Sequence, residues 1–232
     1  MEMEYLTTSK TRGLIWEIED QISLHGERRR AEVTTLLLQP KQNERILDVG
    51  CGEGYQISYI VNHAGYTVGV DLSLSKLIEA KKRVKDVDFI NASSEKLPFR
   101  TETFDKVLSL ELLEHLRNPS KTIDEISFIL KKQGILVISV PYKERIKMTQ
   151  CIHCGKLTPI WGHLTSFDEE KLSMLMPKNY ILLNREYVAT MVASHPLFSC
   201  LSTRLWKMID RVVRLLPSEK PCWFISKFSK IR

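Results

Sequence analysis

The stretch from Ile46 to Tyr55, ILDVGCGEGY, constrains this chain more than any other. An apolar run ends in Asp48, glycines follow at 50, 52 and 54, and Tyr55 to Val61 has helical character. This reads as a buried strand, a tight glycine turn and a helix start. Glycine permits φ > 0 and lets a ligand lie against bare main chain. The helix that follows turns free N–H groups and its positive dipole end toward the same place. The stretch is therefore expected to floor a nucleoside-cofactor site.

The surrounding chain alternates strand and helix. Thr67–Leu72 reads as a second strand ending in Asp71, with Ser73 or Ser75 capping a helix over 76–85. Val87–Ala92 and Phe104–Leu110 read as the third and fourth strands. Asn118-Pro119-Ser120 opens a helix expected to run to Lys132, where Gly134 stops it. Ile135–Val140 is a continuous apolar run of the kind a central parallel strand needs. Five such alternations argue for an α/β fold, a Rossmann-like doubly wound parallel sheet with ligands at the carboxyl ends of its strands. At 232 residues one domain is expected. It would comprise a helical leader (1–44), a cofactor-binding core (45–141), a loop (142–170) and a C-terminal part (171–232). In the leader, 13–38 reads as helix broken near His25-Gly26.

The turn does not complete the dinucleotide fingerprint G-x-G-x-x-G/A, because Tyr55 or Ile57 stands where the third small residue belongs. A carboxylate at Asp48 would also repel a pyrophosphate. Asp48 attracts a ligand with a positive end, and Asp71 is placed to accept ribose hydroxyls. Two acids and a tight turn suit an adenosyl amino acid carrying a sulfonium.

ILDVGCGEGY, VGVDLS, SSEKLPF and FDKVLSLELLEHLRNP together resemble the motifs of class I S-adenosylmethionine-dependent methyltransferases, in the small-molecule (type 11-like) branch. The resemblance covers Arg45 to Pro141. It implies a seven-stranded sheet with an antiparallel edge strand, Tyr180–Val188 next to Cys222–Phe228, and 189–221 inserted between them. It also implies that Asp48, Gly50, Cys51 and Gly52 meet the methionine part of S-adenosylmethionine. Asp71 would take the ribose, Leu72 the adenine face, Ser93 and Ser94 the adenine edge, and Leu110 and Glu111 the floor under the donor. Where the family pattern has an acid, this chain has Ser93.

Direct methyl transfer needs alignment and exclusion of water, and a base only where the acceptor carries a proton. His115, in LLEHLRNP, is the candidate base, and Tyr142 is a candidate wall residue. Packing is the plainer role for His115. Cys151-Ile152-His153-Cys154 is a C-x-x-C knuckle, with His163 nine residues on. Zinc held by Cys151, Cys154 and His163 is the leading expectation; a redox pair and two unligated thiols are the alternatives.

The charge of the chain is concentrated at its end: residues 190–232 hold eight Lys/Arg against two Asp/Glu. Leu201, Leu205, Ile209, Val212 and Leu216 form an apolar stripe beside Arg204, Lys207, Arg211 and Arg214, with Trp206 on the flank. Such a helix packs across a core or lies on an anionic membrane, so peripheral contact through 197–216 is open. The expected acceptor is a small or lipid-like molecule. Nucleic acid is disfavoured for want of interleaved aromatics. An RNA methyltransferase and a non-catalytic binding protein stand as the alternatives. Five cysteines, an odd number, and a polar, acidic start (MEMEYLTTSK) fit a reducing, cytoplasmic setting. Oligomeric state is not legible.

Overall fold

The computed structural model describes residues 24–231. These fall into two compact units, one of residues 34–187 with 223–231, the other of 24–33 with 188–222. Residues 24–38 form helix α1. There follow β1 (Arg45–Val49), α2 (Tyr55–Ile60), β2 (Tyr66–Asp71), α3 (Leu74–Arg83), β3 (Asp88–Asn91), β4 (Phe104–Leu110), α4 (Pro119–Ile129) and β5 (Leu130–Pro141). A hairpin of β6 (Met148–Gln150) and β7 (Leu157–Pro159) precedes α5 (Glu169–Leu175), β8 (Tyr180–Val188), α6 (Thr203–Val213) and β9 (Trp223–Lys230).

The seven-stranded sheet has the order β3-β2-β1-β4-β5-β9-β8. β1 to β5 run parallel and β9 runs antiparallel to β5. Leu47, Val107, Leu136 and Phe228 stand in one registered row across four strands. Because side chains alternate along a strand, such a row shares a face. Ile123, Ile126 and Ile129 of α4 cover that face, each fully buried, which is worth about 1.5–3 kcal/mol per side chain. The opposite face is covered in part by α2: a side chain on Gly69 would collide with Ile57 and Cys51. Apolar rows on both faces force helices onto both sides, and the strand ends remain as the open edge.

Several boundaries differ from the expectation. α4 ends at Ile129, not Lys132. Its last carbonyls are taken by Glu102 and Thr103, whose amides donate to Phe128 and Ile129, so the helix terminates early and β5 begins at once. Gly134 therefore lies within a strand, after Gln133 at φ 59°. Gly26 lies inside α1. From residue 24 on, the helix includes His25-Gly26, and Arg29 donates to His25 one turn back, which anchors this turn. The rest of the leader expectation lies outside the described residues.

The smaller unit is built on buried polar groups. Arg29, with 0% exposure, donates to the carbonyls of Phe198, Ser199 and Leu201 and to Glu32. Its guanidinium lies 5.4 Å from the centre of the Trp206 ring. Trp206, read from the sequence as flanking, is fully buried and donates to the Ala193 carbonyl at 2.7 Å. Asp210 is buried beside it and accepts from the Thr190 amide. α6 therefore buries its Trp206–Asp210 edge and leaves Leu205, Met208 and Val212 exposed. The intervening Leu201–Leu216 stripe is not the packing face. Among the described residues no helix is long and apolar enough to cross a membrane.

Candidate active site

The glycine turn is held shut from below. The amides of Gly50 and Cys51 both donate to the Val70 carbonyl, at 2.7 and 3.0 Å. Gly50 (φ 77°), Gly52 (φ 51°) and Gly54 (φ 72°) all take the left-handed conformation. A Cβ on Gly50 would come within 3.0 Å of Leu112, whereas one on Gly52 would meet nothing within 4 Å. Main chain is thus bare at Gly52 and crowded at Gly50. Asp71, ending β2, accepts the Gly52 amide on Oδ2 at 2.9 Å and the Ser73 amide on Oδ1 at 2.8 Å. Each oxygen keeps a second lone pair for a ligand hydroxyl.

Beside this turn lies a cavity of about 360 Å³, lined in part by Gly50, Asp71, Leu72, Ser93, Ser94 and Glu95. Its size suits a small-molecule or cofactor site. Leu72 is 75% exposed, offering an apolar face to the space. Ser94 is engaged with Thr122, and Ser93 Oγ accepts the Glu95 amide. Glu95 lines the cavity two positions from the acid that Ser93 replaces. Asn91 escaped sequence reading. Its side-chain amide donates to the carbonyls of both Asp71 and Leu72, fixing the two residues that face the cavity. An amide-bearing residue in register with Asp71 at the end of the next strand was the available signal.

Asp48 is buried at the end of β1 and Leu110 at the end of β4. Cys51 is buried too, and its thiol pKa is pushed far up by burial and then by the charges of Asp48 and Asp71. It is a packing group and not a nucleophile. Glu111 takes φ 50°, a conformation rare outside glycine. Its carboxylate accepts Ser139 Oγ at 2.7 Å and Trp223 Nε1 at 2.8 Å, bonds that hold the strained turn after β4.

Residues 47–138 match the family model described as a methyltransferase domain. A ubiquinone biosynthesis O-methyltransferase of Pelagibacter ubique is 33% identical over 137 residues, 57% of each chain. A tRNA U34 carboxymethyltransferase of Hahella chejuensis is 32% identical over 133 residues, 53% of this chain and 41% of that one. A solved S-adenosylmethionine-dependent methyltransferase from Mesorhizobium loti superposes with a TM-score of 0.61 at 16% identity, covering 86% of this chain and 96% of its own. That last likeness is one of fold. Residues 47–138 thus carry a methyltransferase domain similar to that of S-adenosylmethionine-dependent methyltransferases. It spans about half the length of the curated relatives it matches first.

The methyltransferase core fits that cofactor. Gly50, the Asp71 carboxylate and the apolar Leu72 line one space, and the acids at 71 and 95 disfavour a pyrophosphate there.

The turn after β4 meets the loop 142–170 beside this cavity. Leu112 and Leu116 line the cavity and bracket His115. His115 Nδ1 lies 3.3 Å from the Gly162 carbonyl, and its ring meets His163 edge-on at 4.7 Å between centres. Burial, and then the neighbouring His163, hold its pKa below the ordinary imidazole value. The Glu114 carbonyl accepts the amides of Leu164 and Thr165, at 2.6 and 3.2 Å, which ties the Gly162-His163-Leu164 segment to this turn. His163 Nδ1 is bonded to Glu144 at 2.5 Å.

This placement corrects the expected metal triad. His163 does not join Cys151 and Cys154; among the described residues, the groups close enough to share one ion are Glu114, His115 and His163. The cysteines sit at the β6–β7 tip, while Glu114 holds the segment bearing His163 by its main chain. Backbone amides of Cys154 and His153 and the Cys154 thiol lower the pKa of Cys151. Tyr142 is committed elsewhere: its hydroxyl donates to Glu169 at 2.9 Å, and Tyr187 donates to the same oxygen. Burial and that carboxylate push the Tyr187 pKa up to about 12. Tyr142 packs in an aromatic group with Tyr187 and Phe224.

Proposed function

We propose that this protein methylates a small apolar or lipid-like acceptor on an atom that carries a proton, with His115 as general base. Asp71 would hold the ribose of S-adenosylmethionine, Leu72 the adenine face, Ser93 and Ser94 its edge. Asp48 and the turn Gly50-Cys51-Gly52 would hold the amino-acid end, and Leu110 and Glu111 the floor. When bound, the cofactor supplies a sulfonium-borne methyl group to an attacking nucleophile. The chain's own task is to align that nucleophile, keep water out and remove its proton. His115 is suited to the last. With Nδ1–H donated to the Gly162 carbonyl, Nε2 is the basic nitrogen, and the lowered pKa keeps it unprotonated at neutral pH.

The observation that carries this reading is a histidine held at the Gly162 carbonyl and set between two leucines that line the cavity beside Gly50. The acceptor class rests on the segment around His163. Ile160, Trp161 (67% exposed) and Leu164 present apolar surface beside a ring that touches His115. The relative named for ubiquinone biosynthesis supports an apolar acceptor, while the one named for tRNA keeps RNA as the rival. The exposed Leu205, Met208 and Val212, beside Arg204, Lys207 and Arg211, suit peripheral contact with an anionic lipid surface. Incubating the protein with methyl-labelled S-adenosylmethionine and a cell extract, then separating lipid, small-molecule and RNA fractions, tests the assignment. Label in an organic-extractable fraction is expected. Label confined to RNA, or none above a Gly50→Val control, contradicts it.

A further inference from the structure

We propose that the tip of the β6–β7 hairpin is half of a tetrahedral zinc site, completed by the same cysteine pair from a second copy of the chain. The hairpin is a formed element. Met148, Thr149 and Gln150 pair with Pro159, Thr158 and Leu157. At its end the Cys151 amide donates to the Lys156 carbonyl and the Gly155 amide to the Cys151 carbonyl, both at 2.8 Å. Gly155 takes φ 69°, the conformation that lets the chain double back immediately after Cys154. This closes Cys151 to Cys154 into one tight turn. Two thiolates so placed can bite one tetrahedral ion.

A structural zinc site closes with four ligands, and among the described residues no group supplies the other two. Among the described residues no His, Asp or Glu joins the two sulfurs in a group of three within ligand reach. His163 is held by Glu144 and packed on His115. Cys51 is buried against the sheet. Asp168 caps α5 through Lys171. The first 23 residues contain neither cysteine nor histidine. Ligands from a second chain would complete the set, and the tip is open to receive them: Cys154 is exposed and Ile152, between the cysteines, is 94% exposed.

A second copy meets the requirement without further parts. A two-fold axis through the ion brings identical pairs together and gives four thiolates from one self-complementary contact. Charge argues the same way. Zinc with four thiolates carries a net charge of −2, and Lys156, whose carbonyl closes each turn, offsets part of it. Without the ion the Lys156 side chains of the two tips oppose each other across the contact, so association depends on the metal. Ile152, Met148 and Leu157 are exposed on the hairpin and add apolar contact once the tips meet.

The test is metal content and mass measured on the same sample, using full-length protein purified without a metal-affinity tag. Expected are one zinc per two chains and a dimer by light scattering, with conversion to zinc-free monomer on chelation and reassembly when zinc alone is restored. Cys151→Ser and Cys154→Ser should each be monomeric and zinc-free while binding S-adenosylmethionine as the parent does, which shows the core intact. One zinc per monomer, no zinc in the parent after exposure to the ion, a dimer that survives chelation, or a mass two hydrogens short from a Cys151–Cys154 disulfide would each overturn the proposal.

Discussion

The strand ends that form the cofactor cavity and the loop from 142 to 170 contribute to one candidate active site, yet they are fixed in different ways. At the strand ends, position follows from register. Asp48, Gly69 and Leu108 are neighbours because β1, β2 and β4 pair, and Gly50 faces Val70 because the turn folds back on that ladder. In the loop, position follows from a few specific bonds: Glu114 main chain to Leu164, Glu144 to His163, and Tyr142 and Tyr187 to Glu169. The first kind of order can be read from residue spacing. The second cannot, because nothing in the spacing says which of several compatible partners a histidine or tyrosine will take.

The sharpest break between the two regions is expected from Gly50→Val. A β-branched side chain at φ 77°, driven into Leu112, is incompatible with the turn. Binding of S-adenosylmethionine should weaken by at least about 100-fold, equivalent to about 2.8 kcal/mol, as read by calorimetry. His115→Gln should leave that binding unchanged and lower kcat by roughly 100-fold or more, the range of general-base catalysis. Its pH dependence has a definite sign. The base works unprotonated, and its pKa lies below the ordinary imidazole value of about 6.5. The rate should therefore hold steady at neutral pH and fall as pH drops through that lowered value, and the variant should lack this limb.

A smaller effect is expected from Glu144→Gln, which weakens the bond that orients His163. One hydrogen bond to a charged group contributes about 1.5–3 kcal/mol, and this one is partly exposed and acts through a second side chain. A rise in acceptor KM of up to roughly tenfold is predicted, with cofactor affinity unmoved. Change confined to KM supports a positioning role. Equal loss of cofactor affinity would show that the two regions are not separately fixed.

The smallest effect concerns His25. Burial, chiefly, lowers its pKa below the ordinary value, against a hydrogen bond to the Ser194 carbonyl that raises it. Its unfolded form therefore binds the proton more readily than its folded form. Stability should be full above about pH 6.5 and decline as pH falls through that value toward the lower folded one. Urea midpoints at pH 7.5 and 5.5 measure the difference, and His25→Gln should narrow it.

The same division explains what the amino-acid sequence disclosed. The alternation of strands and helices, the glycine turn and Asp71 at the end of β2 were all legible, because periodicity and strand ends are written in the order of residues. Asn91 was legible in principle, as an amide one strand over from Asp71. His163 was misassigned to the cysteines because nine residues of loop allow either partner, and only the bonds from Leu164 and Thr165 to Glu114 decide between them. Trp206 was misplaced for a related reason. The hydrophobic stripe of α6 suggested one buried face, while a buried Arg29 and Asp210 drew the neighbouring edge inward. Buried polar groups with specific partners override the apolar pattern that a helix presents.

The most direct measurement is a calorimetric titration of the full chain with S-adenosylmethionine, with Asp71→Ala and a nicotinamide dinucleotide as controls. One saturable site per chain is predicted, weakened by at least about tenfold in the variant through loss of a charged acceptor, and no heat from the dinucleotide. Absence of binding, or dinucleotide binding that depends on Asp71, would contradict the assignment of the glycine turn to an adenosyl sulfonium.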